Sequence, residues 1–589
     1  MQGIHLRGGS DAAQPSARRG DFTTDRRVLL LAAMAVVVGT GGAFAAWLLL
    51  KLIALVTNLA WFGRLSVAET DIADTTVGLA GVAIPVIGSL IVGLIARYGS
   101  EKIRGHGIPE AIETILYGES RLSAKVAVLK PVSSAISIGS GGPFGAEGPI
   151  IMTGGAIGSL FAQCFHLTAA ERKTLLVAGA AAGMTAIFGT PVAAVLLAVE
   201  VLLFEWKPRS FVPVVVGALV AIAWRPLLID QGALFPFASA MPVTAAVIAL
   251  AIGVGALAGA QAAGLSAMLY RIEDLFHRLR VHWMWWPALG AVAVGLGGVL
   301  DPRVLGAGYG TIQALLDGDM IVRALLLLLV VKAVVWLIAL GSGTSGGVVA
   351  PLLILGGALG CLEGQFLPGS PGFWALLGMA GILAGAMRAP LTGALFAVEL
   401  TGRFEALPAT LAAAAAAYAV TILISKRSIL TEKIARRGRH VLQEYGVNPI
   451  ELTPVSEIMV APVETLPQDM PVRDAVAFFE SAALHRSYPV VDGEGRPVGM
   501  VSRSDALRWR GEPELADATL AESMSDASLA VACPDDLIGE VADRMIAADY
   551  GRMPVVDRAT RKLVGLVARH DMLRVRAGQQ HSEKVRSRF

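Results

Sequence analysis

The chain has 589 residues, a mean hydropathy of +0.63, 54% apolar residues and only 16% charged ones, against roughly 25% charged in an ordinary soluble protein; this excludes a purely soluble protein. A net charge of +2 gives no reason to expect a nucleic-acid partner. The charge is unevenly placed: residues 28–451 hold 50 charged side chains in 424 positions and residues 452–589 hold 38 in 138, so a membrane-like block precedes a soluble-like one.

Residues 1–27 form a polar tail rich in arginine (Arg7, Arg18, Arg19, Arg26 and Arg27), followed from Val28 by more than 20 apolar residues with no small-residue cleavage site. This pattern predicts a retained first span with its basic flank in the cytoplasm. Uncharged stretches recur at 28–50, 148–170, 174–199, 231–270, 281–300, 333–362, 364–387 and 406–425, with a further span at 76–96. Each long stretch reaches the roughly 20 residues that cross a bilayer. Charges and prolines between them leave several helices short, the pattern of broken elements around a membrane site. The three cysteines, Cys164, Cys361 and Cys533, are too scattered for a disulfide framework or a zinc site.

An internal repeat is the most informative feature. Gly139 through Gly158 lies over Gly341 through Gly360 at an offset of 202, with nine of 20 positions identical. Pro191 followed by Glu200 repeats as Pro390 followed by Glu399 at offset 199, and Gly105-His106-Gly107 matches Gly306-Ala307-Gly308 at 201. Three blocks in one order predict a duplicated membrane domain over 28–440, with halves at about 28–225 and 240–425. In the first copy, Gly145-Ala146-Glu147-Gly148-Pro149 opens a helix whose free N–H groups and positive dipole end favour an anion. Glu147 occupies the anion's place when charged and leaves it when protonated; helix capping is the plainer alternative. The second copy has Val349 where the first has Glu147.

Residues 426–451 are a basic hinge, with 441–451 as linker. Beyond it Ser487-Tyr488-Pro489-Val490-Val491-Asp492 recurs as Arg552-Met553-Pro554-Val555-Val556-Asp557. The periodicity predicts two βαββα units, 452–511 and 518–578, forming one α/β module, with a final tail at 579–589.

The glycine loops at 105–109, 145–149 and 347–351 and the two Pro-to-Glu helices, all in one order, resemble the CLC family of chloride channels and chloride/proton exchangers, and the paired tail resembles tandem CBS units. The resemblance implies a polytopic α-helical membrane protein with inverted repeats and a cytoplasmic CBS module, a homodimer with one pore per subunit. It implies that Glu147 is the gate and that His106, Gly107, Ile108, Gly145 and the backbone amides of Val348 and Val349 bind the anion. Partners are then chloride and similar small anions, protons and the lipid bilayer, with no nucleic acid and no required cofactor.

Three departures bear on mechanism. His106 stands where the family commonly offers a serine hydroxyl and either donates to the anion or faces the vestibule. Leu430 stands where a tyrosine is expected. Val201 stands where many exchangers carry an internal proton-accepting glutamate, with Glu200 one residue earlier facing elsewhere. Loss of that carboxylate favours passive, channel-like permeation gated by Glu147; the alternative is chloride/proton exchange through a water-mediated path. In the tail, Ser502, Asp505 and Asp571 fit an adenine-nucleotide site by resemblance, or else cap helices.

Two unrelated functions are weighed against this. Gly343-Thr344-Ser345-Gly346 has the form used by intramembrane serine proteases, but such a serine needs a base, and His440, His485, His570 and His581 all lie outside the predicted spans. A CBS-regulated cation transporter would want several acids in the pore, where only Glu147 is found.

Overall fold

A computed structural model describes residues 26–75, 78–237, 241–439, 441, 453–524 and 529–575. The polar N-terminal segment before Arg26, most of the linker and the final tail lie outside the described residues. The chain divides into a helical unit and a C-terminal α/β unit.

The helical unit is two sets of eight. The first comprises α1 (Arg27–Phe62), α2 (Ala83–Tyr98), α3 (Ile108–Tyr117), α4 (Ala124–Gly139), α5 (Glu147–Gln163), α6 (Ala169–Phe188), α7 (Pro191–Leu197) and α8 (Pro208–Leu228). The second comprises α9 (Ala245–His277), α10 (Trp286–Leu300), α11 (Tyr309–Asp317), α12 (Val322–Gly341), α13 (Val349–Gly364), α14 (Pro371–Met387), α15 (Pro390–Thr401) and α16 (Leu407–Ile424), and the short α17 (Thr431–Arg436) follows. Seven helices among the described residues are long and apolar enough to cross a membrane, while α13, α14 and α15 are shorter. Some uncharged stretches do not map onto single helices. Residues 333–362 hold the end of α12, a non-helical loop and most of α13, and residues 231–244 precede α9. Apolar composition sets membrane depth, whereas glycine and proline set where helices break.

The two halves are tied by reciprocal contacts between repeat mates. Gly145 N–H donates to Gly347 O at 3.3 Å and Gly347 N–H to Gly145 O at 2.8 Å, an antiparallel bridge between two equivalent residues. A two-fold axis through the pair generates that geometry, so the halves are inverted. Gly105 N–H donates to Gly343 O and Gly306 N–H to Gly141 O. The Glu399 carboxylate accepts from Val192 and Ala193 N–H at the start of α7, and Glu200 accepts from Leu391 and Thr392 N–H at the start of α15. Each half thus caps the other's helix with its own glutamate, where a bare helix start in lipid would leave N–H groups unmet.

The repeated glycines have a packing cause. A Cβ on Gly154 would stand 2.2 Å from Gly179 O, and one on Gly356 would stand 2.5 Å from Gly378 O. Backbone meets backbone where α5 crosses α6 and where α13 crosses α14, the close approach that small residues permit in lipid.

In the C-terminal unit, β1 (Leu466–Pro467) pairs parallel with β2 (Ser487–Val491), which pairs antiparallel with β3 (Pro497–Ser502); α18 (Val472–Ser481) and α19 (Arg503–Arg510) pack on them. After α20 (Leu520–Ser523), the second copy is α21 (Ile538–Ala547) with antiparallel β4 (Arg552–Val556) and β5 (Leu563–Ala568), its first strand reduced to an Ala532–Val555 bridge. The two units exchange leading segments. Val455, Ile458 and Met459 complete the core around Ile538, Val541 and Met553, while Leu520 and Met524 complete the core around Val472, Tyr488 and Val490. Each lead covers apolar surface that the other unit leaves open.

Asp536 organises the second unit. Its carboxylate accepts from Cys533 N–H at 3.0 Å, from Arg558 at 2.9 Å and from Arg544. Burial pushes its pKa up, but these donors and the two guanidinium charges outweigh that and hold it below the ordinary aspartate range. A depressed carboxyl contributes stability that is present above its unfolded value and is lost as pH falls through the folded one. Asp536→Asn is therefore expected to lower the thermal midpoint of the C-terminal unit in the full chain at pH 7, by an amount reflecting about 1–2 kcal/mol. The gap between variant and wild type narrows as pH falls below about 4; scanning calorimetry at both pH values measures it.

Candidate functional site

Three of the predicted loops converge around Gly148. A Cβ there would lie 1.8 Å from His106 O and 3.3 Å from Gly347 Cα, so the starts of α3, α5 and α13 meet backbone to backbone. Val348 and Val349 are the N-cap and first residue of α13, and Gly107 is the N-cap of α3 with φ +89°, a conformation that favours glycine. Helix N-termini from both halves thus aim unpaired N–H groups at one place.

Glu147, the first residue of α5, is fully buried and reaches across into the other half. Its Oε1 accepts from Ala350 N–H at 3.1 Å, and Oε2 is buried with no hydrogen-bond partner. Cβ atoms on Gly145 and Gly347 would lie 2.0 and 2.4 Å from Oε2, so the carboxylate fills the cradle that the two glycines leave. Chemically it stands in for a dehydrated anion at the α13 N-terminus. A charged ligand and the charged carboxylate cannot share that seat. The donor to the carboxylate is Ala350, one residue beyond the Val348 and Val349 amides that the resemblance assigns to the anion.

On the α3 side, His106 is buried, its Nδ1 has no partner, and it lines a cavity of about 940 Å³ together with Arg104, Glu110, Tyr270, Lys433 and Arg437. Glu110 pairs with Lys433 at 2.9 Å and Arg437 at 3.1 Å, and Glu113 pairs with Arg437 at 2.5 Å and Arg439 at 2.9 Å. The basic residues 433–439, read from sequence as hinge, are therefore spent on this cavity wall. Leu430 is fully buried at the start of α17, and a hydroxyl from another helix, Tyr270, donates to the neighbouring Ile429 O at 2.5 Å.

Sequence reasoning missed Lys130. It is fully buried on α4, and its ammonium donates to Ile103 O at 2.8 Å, Gly105 O at 2.7 Å and Ser345 Oγ at 3.0 Å. One cation thus ties the His106 loop to the Gly343–Gly347 loop of the other half. Its repeat mate Lys332, also fully buried, donates to Val304 O at 2.8 Å. The offset of 202 relates them, so the repeat was the available signal. The contact also bears on the serine-protease alternative, because Ser345 has a lysine beside it after all. Ile103 O and Gly105 O can only accept, so this nitrogen serves as a donor that holds the two loops together.

Val201 is fully buried on a π-helical turn, Ala198–Leu203, that continues α7. Glu200, which also accepts from Thr392 Oγ1 at 2.6 Å, is engaged at the start of α15. In the C-terminal unit Asp505 Oδ2 accepts from Ser502 N–H at 2.9 Å and Oγ at 2.6 Å in a capping box, and Asp571 accepts from Ala568 N–H at 3.0 Å. Each of the three residues expected at a nucleotide site makes or receives a helix-start contact.

The family model described as "Voltage gated chloride channel" matches residues 87–421, more than half of the chain. The chain belongs to that family. CBS domain models match residues 455–512 and 521–578. The Voltage-gated ClC-type chloride channel ClcB of Escherichia coli is 31% identical over 369 residues, covering 60% of this chain and 87% of that protein. A slow cyanobacterial Cl−/H+ antiporter has a similar fold, with a TM-score of 0.62 at 22% identity over 70% of this chain and 99% of that one. A eukaryotic CLC transporter gives a TM-score of 0.59 at 22% identity over 92% of this chain and 98% of that one. The chain is accordingly a multi-pass CLC-type membrane protein with a tandem CBS module.

Proposed function

We propose that the chain carries chloride across the bacterial cell membrane, that the Glu147 side chain is the gate, and that permeation is passive. The observation that carries the gating role is the buried Glu147 carboxylate on Ala350 N–H, seated in the glycine cradle at a helix N-terminus. Protonation removes the charge that holds it there and opens the seat to an anion, so flux rises as pH falls. Helix N-termini with a single carboxylate suit an anion rather than a magnesium ion. Passive permeation is supported by Val201 and by the commitment of Glu200 to α15, which leave no exchangeable carboxylate at the internal position. The cluster of basic residues at 26–27 and 426–439 favours a cytoplasmic location for both termini.

In proteoliposomes, Glu147→Gln is expected to raise chloride efflux at pH 7 by about tenfold or more, the worth of a charge-assisted hydrogen bond, and to flatten its pH dependence. Unchanged flux with an unchanged pH profile overturns the gate. In the wild type, a chloride gradient is expected to move no protons against a pH-sensitive dye. Proton movement coupled to chloride would establish exchange in place of passive permeation.

A further inference from the structure

We propose that the Arg104 guanidinium, stacked on two tryptophans, is an anion-docking site in the wall of the 940 Å³ cavity, where chloride is held before it reaches the helix starts. This rests on the chloride-transport reading and is independent of the gating role of Glu147.

Arg104 immediately precedes the Gly105-His106-Gly107 loop that leads into α3, and it is half-buried in the cavity wall that His106 also lines. Its position is fixed from two sides. The guanidinium carbon lies 4.5 Å from the centroid of the Trp283 ring and 5.8 Å from that of Trp286, the first residue of α10. On the other side Gly105 N–H donates to Gly343 O at 3.3 Å, and a Cβ on Gly343 would lie 2.9 Å from Arg104 Nη2. The cation therefore abuts the loop of the second half that leads into α13. At the offset of 201 its repeat mate is Leu305, so one half alone carries this charge.

Other cations of the wall are neutralised. Lys433 and Arg437 pair with Glu110, Arg439 pairs with Glu113, and Arg436 pairs with Asp274. Arg104 makes no hydrogen bond or ion pair among the described residues, although Glu101 and Glu273 line the same cavity, and its Nε is buried without a partner. Aromatic rings hold a cation through their quadrupoles, so they fix its place without cancelling its charge or occupying its N–H groups. The Nδ1 of His106, two residues on, is likewise buried and unpartnered. A partly desolvated guanidinium with unmet donors is costly until an acceptor arrives. A small anion supplies both the opposite charge and the acceptor, and the cavity brings it to the loop that carries His106.

The experiment is exchange of isotopically labelled chloride in proteoliposomes at equal chloride on both sides, measured across a range of concentrations in a Glu147→Gln background. Arg104→Gln is expected to raise the half-saturating chloride concentration about tenfold, the worth of one charge-assisted hydrogen bond, so that flux falls most at low chloride. Arg104→Lys, which keeps the charge, is expected to recover at least half of that change. Trp283→Leu, which keeps the arginine and removes its platform, is expected to raise the value about threefold. An unchanged half-saturating concentration in either Arg104→Gln or Trp283→Leu overturns the proposal, as does a value for Arg104→Lys equal to that for Arg104→Gln. Failure of the transport reading is seen separately, as absence of exchange in Glu147→Gln with Arg104 intact.

Discussion

Gly148→Ala is expected to abolish most chloride flux even where the protein still folds. The new methyl would lie 1.8 Å from His106 O and 3.0 Å from His106 C, with Gly347 Cα at 3.3 Å. All of these are backbone atoms at the junction of three helix starts, so no flexible side chain can yield. Overpacking of this kind costs about 1–3 kcal/mol when a core relaxes. Here relaxation means separating α3 from α5 and straining the Gly145–Gly347 bridge that aligns the two halves. A loss of flux of at least about tenfold is expected from proteoliposome efflux, with the variant still monodisperse in detergent. Wild-type flux from a folded variant would contradict this packing of the site.

Lys130→Met is expected to give the largest loss of stability. The substitution keeps the unbranched apolar stem of the side chain but leaves Ile103 O and Gly105 O without their donor and removes the link to Ser345. Each buried acceptor left unmet costs about 1–3 kcal/mol, and a typical protein has only about 5–15 kcal/mol in hand. The variant should show a markedly lower unfolding temperature in detergent, or no recoverable folded protein. Lys332→Met, whose ammonium makes a single hydrogen bond among the described residues, should lose less. Equal losses from the two variants would remove the special role given to Lys130 in joining the halves.

The contrast between these lysines shows what the repeat made legible. An offset of 202 marked Gly145 against Gly347 from sequence, and the same offset relates Lys130 to Lys332, but a matching residue type does not reveal what an ammonium touches. The two Pro-to-Glu blocks were visible as repeats, whereas the exchange in which each glutamate caps the other block's helix was not. A carboxylate's partner some 200 residues away depends on the inversion of the halves, and no local pattern encodes an inversion. In the C-terminal unit the paired strands followed from the repeated apolar blocks at 487–492 and 552–557, while the exchange of leading segments did not, because both units have the same apolar pattern.

At the candidate site the sequence marked the positions where glycine and proline permit a helix to begin in mid-membrane, along with the single carboxylate beside them. Those are local properties of the backbone and of charge in an apolar run. The tertiary structure decided which donor Glu147 meets, Ala350. By sequence alone this chain is a duplicated, charge-poor membrane domain with one intramembrane carboxylate in a glycine loop and a paired α/β tail. Which atoms face that carboxylate was decided only by packing, since it depends on bringing helix starts from two inverted halves within hydrogen-bonding distance.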